Sequence, residues 1–329
     1  MPQVLVKVEN LKKHFPVQKS LMERLLTRKL EYVKAVDGVD FEINSGEIFS
    51  LVGESGCGKT TVGMLILRLL EPTNGRIIFK GRDITHLKGE ELRALRREMQ
   101  VVFQDPYASL NPRMKIGKAI AHPLEIHNIA EENERKELVL DMLEKVGLTP
   151  AEKFYNSYPH QLSGGQRQRV VIARAMILKP SFIVADEAVS MIDVSIRTSI
   201  LELMLRLKNE FNCTYLFITH DLAIAKYISD KIAVMYLGKI VEKSNRKNFF
   251  SNPMHPYSKA LLSAVPTPKP KVKKKRMIIG EISSAAAVPK GCRFHPRCQY
   301  AKEICKKEEP KLIEVEKNHF VACHLCQSS

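Results

Sequence analysis

Residues 53–60 read Gly-Glu-Ser-Gly-Cys-Gly-Lys-Thr, an unbroken match to G-x-x-x-x-G-K-[ST]. The apolar run at 48–52 precedes this stretch and another at 62–67 follows it. The loop therefore lies between a strand and a helix start, the context in which the pattern holds phosphate. Gly53, Gly56 and Gly58 allow the backbone to turn successive N–H groups toward phosphate oxygens. The helix N-terminus behind them adds partial positive charge. Lys59 is expected to meet the β- and γ-phosphates and Thr60 to set its hydroxyl on Mg²⁺, with Glu54, Ser55, Cys57 and Thr61 completing the cradle. These residues imply a site for a nucleoside triphosphate.

Hydrolysing such a ligand needs acids, and residues 181–187 end an apolar run with Asp186 and Glu187. That pattern predicts a buried strand delivering carboxylates to a site. Asp186 is expected to hold Mg²⁺, and Glu187 to polarise water for in-line attack. Ser163, Gly164, Gly165 and Gln166 open a helix predicted over 166–178, with Ser163 as its N-cap. A serine and two glycines at a helix start make a second anion-binding terminus.

Leu162-Ser163-Gly164-Gly165-Gln166 ahead of the Asp-Glu strand resembles the signature motif of the ATP-binding cassette (ABC) ATPases. The other motifs of that family stand in order. Gln104 matches the Q-loop, Asp193 the D-loop and His220 the switch histidine, while Phe15 sits where the family stacks an aromatic on adenine. An aromatic near a strand end also serves as core, so Phe15 carries both readings. The resemblance covers roughly residues 4–265. It implies ATP held between two cassettes packed head to tail, the 53–60 loop of one facing Ser163–Gln166 of the other. It further implies that His220 contacts the γ-phosphate and that Gln104 senses Mg²⁺ and water. The chain departs from the family after Glu187, where Ala188-Val189-Ser190-Met191-Ile192-Asp193 replaces the usual Pro-Thr-Ser-Ala-Leu-Asp. Hydrolysis is expected to survive this change.

The elements that must position these residues are those of an α/β fold. Strands are predicted at 4–8, 35–43, 47–52 and 76–79, with a helix at 59–70. Helices fill about 105–165, chiefly 131–146, and form a lobe presenting Ser163. Strand and helix then alternate through 182–185, 195–209, 214–219 and 222–229, before a hairpin at 231–241 turning near Gly238. With the resemblance, this is a P-loop ABC cassette: a RecA-like core, an antiparallel β subdomain and an inserted helical subdomain. The cassette is expected to span 1–265, a basic Pro/Lys linker 266–280 and a small Cys-rich metal-binding module 281–329. An insertion at 17–30 places Leu21, Met22, Leu25, Leu26 and Leu30 on one helical face.

Wording at 104–113, 158–161, 252–258 and 291–324 is similar to the ATPase subunits of dipeptide and oligopeptide importers, the Pro-Tyr-Ala-Ser-Leu-Asn-Pro-Arg stretch to their F-type member. The resemblance implies a motor driving two transmembrane permease subunits fed by an extracellular substrate-binding protein. Its second cassette is a D-type paralogue or a second copy. Importers of oligosaccharides or metals use the same subunit type, so the solute stays open. Residues 105–120 are expected to grip a coupling helix, with Arg113 in the groove.

The formal charge of +16 over 329 residues would suit nucleic acid or an anionic surface. Much of it is the run Lys269–Arg276, which reads as a solvated linker or an inner-leaflet contact. A soluble ABC ATPase of nucleic acid is the rival reading. Such proteins usually join two cassettes or insert a long coiled coil, features this chain lacks, and no nucleic acid partner is expected. No apolar stretch reaches the roughly 18 residues of a membrane span, so the expected place is the cytoplasmic face of the membrane.

Five of the seven cysteines fall between 292 and 326. In a cytosolic chain that favours metal over disulfide. Cys292, Cys298, Cys305 and Cys323 could close a zinc site or bind an iron–sulfur cluster. The importer resemblance implies a [4Fe–4S] cluster on this set, with zinc as the alternative and Cys326 and His324 as spare ligands. Cys57 and Cys213 read as small packing residues.

Overall fold

The computed structural model describes residues 3–17, 32–264 and 288–327. The expected amphipathic insertion around Leu21–Leu30 and the basic linker at 266–280 lie outside the described residues. In chain order the strands are β1 (Val4–Pro16), β2 (Tyr32–Asn44), β3 (Ile48–Val52), β4 (Asn74–Phe79), β5 (Arg82–Asp83) and β6 (Met99–Val102). There follow β7 (Phe182–Asp186), β8 (Thr214–Thr219), β9 (Lys231–Tyr236), β10 (Lys239–Asn245), β11 (Ile313–Glu316) and β12 (His319–Val321). The chain forms two compact units, one built from Val4–Ile43, Phe49–His86 and the chain from Thr219 onward, the other from Asn44–Ile48 with Leu87–Ile218.

In the first unit an antiparallel sheet runs β2-β1-β4-β5, and a second run is ordered β11-β12-β10-β9-β3. β3 pairs in parallel with β9, Phe49 opposite Lys231 through Val52 opposite Val234. All five β3 residues are buried, as an apolar strand covered on both faces requires. The helix Lys59–Ile66 starts inside the glycine loop and stops four residues short of the expected 70. Arg68 adopts φ 54°. Its N–H donates to Leu65 O at 3.0 Å while Leu69 N–H donates to Met64 O at 2.9 Å, a left-handed cap that ends the helix. The β9–β10 hairpin turns on Leu237 and Gly238, with φ of 40° and 81°, the two-residue turn whose twist matches its strands.

The tail, expected as a module of its own, contributes β12 to the edge of β10, with Glu242 opposite Val321 and Ser244 opposite His319. Phe294 is buried in one apolar cluster with Val52, Val234, Tyr236, Phe249 and Tyr257, and Cys292 and Cys298 pack against it. Burying a phenylalanine contributes roughly 1.5–3 kcal/mol. The tail is thus anchored by a ladder and by an aromatic plug.

In the second unit β6, β7 and β8 pair in parallel. The helices Ile116–Ile126, Glu132–Lys145, Ala151–Asn156 and Gly164–Met176 pack on one another. The Gly164–Met176 helix begins two residues before the predicted 166. Tyr155 leaves no room for a side chain at Gly117, where a Cβ would lie 2.5 Å from its ring. The helix Gly89–Glu98 and β6 were not expected. That helix buries no residue fully; half-buried Leu92 and Leu95, among charged neighbours, are too short an apolar face to read.

Candidate functional site

The phosphate loop takes the conformation its sequence demands. A Cβ at Gly58 would stand 2.1 Å from Ala35 O, and one at Gly53 would stand 2.3 Å from Met235 O, so both positions exclude any side chain. Lys59 is 5% exposed, and its Nζ donates to Gly53 O at 2.9 Å and Glu54 O at 2.8 Å. Ser55, Gly56 and Thr60 face solvent, Thr61 is half-buried and Cys57 is buried. Burial pushes the Cys57 thiol above its usual range, so it is packing rather than a reactive group. Cys213 is likewise buried, donates to Pro180 O at 2.7 Å and is pushed up to about 12. Phe15 lies half-buried near the end of β1, with Lys13 Nζ 5.1 Å from its ring centre.

Glu54 is held at three points. Its N–H donates to Tyr257 Oη at 2.9 Å. Its carboxylate accepts from Arg297 Nη1 at 2.7 Å and Nη2 at 2.9 Å, a two-pronged pair. Arg297 also reaches Tyr236 Oη at 3.4 Å. Sequence reasoning missed this clasp. Arg297 stood in the tail only as a neighbour of cysteines, and nothing local marks a contact across 243 positions.

In the other unit Asp186, 8% exposed, ends β7, and Glu187 follows with φ 49°. A left-handed glutamate is uncommon, and such backbone concentrates at functional positions. Its N–H donates to Ile218 O at 2.9 Å. Gln104, exposed after β6, donates its Nε2 to Glu187 Oε2 at 3.0 Å. The departure after Glu187 has a structural answer. Ala188, Val189 and Ile192 are buried, and Ser190 Oγ donates to Glu187 O at 2.9 Å. Arg197 then donates to Ile192 O at 2.9 Å and Ser190 O at 3.2 Å, so the turn is fastened by other bonds. Asp193 is exposed and precedes the helix Val194–Phe211.

Ser163 caps the helix Gly164–Met176 as expected: its Oγ accepts from Gln166 N–H, and Gln166 Oε1 accepts from Ser163 N–H at 2.9 Å. Gly165 sits under Ile196, where a Cβ would come within 3.0 Å. Arg174 on the same helix donates to Ser109 O at 2.6 Å, and Arg167 stacks 4.0 Å from the centre of the Tyr107 ring. The cap and the Q-loop segment are therefore joined through one helix. A cleft of about 730 Å³ in this unit is lined by Arg93, Arg97, His127 and Lys179 rather than by residues 105–120, and Arg113 is exposed.

His220 is exposed just after β8, and Asp221 caps the next helix by accepting from Ala223 N–H at 2.8 Å.

The four tail cysteines occupy one neighbourhood. Cys292 N–H donates to Cys305 O at 2.8 Å. Burial, and then the proximity of Cys323, Cys305 and Cys298, pushes the Cys292 thiol up to about 12. Burial raises Cys298 too, again with Cys323 and Cys305 adding to it. The Cys323 thiol is raised, first through its hydrogen bond with Cys326, which is itself lowered by that bond. Thiols that disfavour each other's ionisation are an environment a bound cation relieves. Among the described residues no three His, Cys, Asp or Glu side chains group as ligands of a single ion. His324 instead hydrogen-bonds Glu308 O at 2.9 Å.

Comparison with known proteins places these motifs. The ABC transporter family matches residues 36–190, and the oligopeptide/dipeptide transporter C-terminal region matches 241–305. The oligopeptide transport ATP-binding protein AppF of Bacillus subtilis is 49% identical over 327 residues, covering 98% of both chains. The dipeptide transport ATP-binding protein DppF of Haemophilus influenzae is 46% identical over 320 residues, covering 97% of this chain and 96% of that one. Among solved structures, a dimeric ATP-binding cassette in a post-hydrolysis state with ADP and Pi matches with TM-score 0.63 and 29% identity. It covers 74% of this chain and 99% of its own. The α/β arrangement is accordingly that of an ABC ATPase cassette.

Proposed function

The chain belongs to the ATP-binding subunits of ABC transporters, in their oligopeptide/dipeptide group, and from that membership we propose that it is the ATPase motor of a peptide importer. It is a peripheral subunit on the cytoplasmic side of the membrane, dimerising with a second cassette and working with membrane permeases. The observation that carries the peptide reading is the extent of similarity. It runs through the tail as well as the cassette, including the 241–305 region characteristic of these importers.

Each residue's part follows from its chemistry. The loop N–H groups other than that of Glu54, and the Lys59 ammonium, bind the triphosphate. Mg²⁺, for which Thr60, Gln104 and Asp186 are the suited ligands, supplies neutralisation of phosphate charge. Glu187, steered by the Gln104 amide, accepts the proton of the attacking water. His220 contacts the γ-phosphate and Phe15 the adenine. Ser163, Gly164, Gly165 and Gln166 cover the nucleotide of the facing cassette, with Asp193 beside them. The domain division proposed is a cassette over 1–265 with a helical lobe near 105–165, a linker at 266–280 and a cysteine-bearing tail from 281. Cys292, Cys298, Cys305 and Cys323 we assign to a [4Fe–4S] cluster. Support comes from the gathering of these cysteines in one part of the tail, with Cys292 N–H bonded to Cys305 O and the thiols of Cys292, Cys298 and Cys323 raised. The group would supply a cross-link between the turns of the tail.

The test is reconstitution with the cognate permeases, second ATPase and binding protein in vesicles. Peptide uptake should require Mg-ATP and vanish with Lys59→Ala. Uptake of a sugar or metal ion instead, with peptides ignored, would redirect the substrate assignment.

A further inference from the structure

We propose that Arg297 is a positioning residue for the phosphate loop, through which the cysteine-bearing tail sets nucleotide affinity. The inference rests on the reading of residues 53–60 as the nucleotide site. Glu54 is the second residue of that loop, between Gly53 and the residues whose N–H groups face the phosphates, and its own main chain is already engaged. Its N–H is bound by Tyr257 Oη, and its carboxylate is gripped by both Nη atoms of Arg297, at 2.7 and 2.9 Å. The Arg297 side chain is only 7% exposed and that of Glu54 20%, so water competes weakly for the pair.

Arg297 is itself immobilised. It closes the turn His295–Arg297, one residue before Cys298, with its guanidinium 5.7 Å from the Tyr236 ring centre. Phe294, three positions earlier and immediately before that turn, packs 5.3 Å from both Tyr236 and Tyr257. One aromatic cluster thus holds both the arginine and the tyrosine that fix Glu54. A planar guanidinium meeting a carboxylate with two parallel bonds sets direction as well as distance. A loop whose remaining N–H groups must point at one ligand gains affinity from being fixed in that conformation beforehand. The clasp touches no reacting atom, so its effect belongs to binding rather than to the chemical step.

The experiment compares Mg-ADP affinity of the full-length protein, Arg297→Ala, Arg297→Lys, Glu54→Gln and the Arg297→Ala/Glu54→Gln double variant, with melting temperatures alongside. Each single change should weaken affinity about tenfold. The double variant should be no weaker than the worse single, and lysine should rescue only partly. In the assembled transporter KM for ATP should rise with kcat nearly unchanged. Glu309→Gln, which breaks a tail contact to Lys239 away from the loop, should leave affinity intact. If Arg297→Ala fails to fold, Glu54→Gln carries the test with the arginine left in place. Unchanged affinity in a folded variant, or losses that add in the double variant, would overturn the proposal. Lys59→Ala separates this from failure of the nucleotide reading: if it binds Mg-ADP as the parent does, the site itself is misassigned.

Discussion

Gln104 and Glu187 touch: the amide Nε2 of the first lies 3.0 Å from Oε2 of the second. A residue following β6 thereby aims the carboxylate that follows β7, and the left-handed backbone of Glu187 turns that carboxylate out of the strand. Glu187→Gln keeps shape and hydrogen bonding but removes the base. Hydrolysis should fall by roughly 10²–10⁴, with ATP still bound and the paired cassettes trapped together. Turnover with radiolabelled ATP and sizing in its presence check this; a parental rate would remove Glu187 from the base role.

The Ser163 cap offers a second test. Ser163→Ala removes the acceptor for Gln166 N–H and should cost about 1 kcal/mol of helix stability. Hydrolysis by paired cassettes should fall while single-cassette nucleotide binding holds. Ser163→Asn restores a cap without the hydroxyl, so recovered melting temperature with hydrolysis still low would assign the serine to the facing nucleotide.

Acid stability should depend on the buried pair of His255 and Glu242. Burial lowers His255 to about 4, and its Nδ1 accepts from Tyr257 N–H at 3.0 Å, which requires the neutral ring. The unfolded chain takes up a proton near the usual 6.5, so this contribution is complete above that pH and is lost as pH falls toward 4. The difference corresponds to about 3 kcal/mol. Burial alone would raise Glu242. Hydrogen bonds from His319 and from the Met254 and His255 amides outweigh it and hold the carboxyl below its ordinary value. That second contribution is present above about 4.5 and is lost below it. Denaturant unfolding at a series of pH values should show His255→Gln flattening the upper window only.

Iron analysis tests the tail. Anaerobically purified protein should be brown, with iron and acid-labile sulfide in equal amounts, and Cys305→Ser should lose both. Stoichiometric zinc without iron would replace the cluster assignment.

Charge reversal at the exposed Arg113 should weaken the hold on the membrane subunits while leaving ATP binding by the free subunit unchanged. Co-purification of the permeases with Arg113→Glu reads the outcome, and normal assembly and transport would discard the role of this segment.

Motifs made of contiguous residues were legible beforehand. The glycine loop, the Ser163 cap, the Asp186–Glu187 strand end and the Gly238 turn each write their backbone geometry into residue type. The helix Gly89–Glu98 was not legible, because only Leu92 and Leu95, both half-buried, give it an apolar edge among charged residues. Nor was the early stop at Ile66. It depends on Arg68 turning left-handed while its Nε donates to Ile84 O at 3.1 Å, a partner from another element. The Glu54–Arg297 clasp was hidden for the same reason on a larger scale. Long-range pairing between charged residues leaves no spacing to read.

That pairing also has a meaning for synthesis. A ribosome delivers Arg297 243 positions after Glu54. During translation the nucleotide loop exists without its fastening, and a chain released prematurely keeps every ATPase motif yet lacks the arginine. On the proposed role of Arg297, a fragment cut short ahead of it should bind nucleotide more weakly than a chain that carries it.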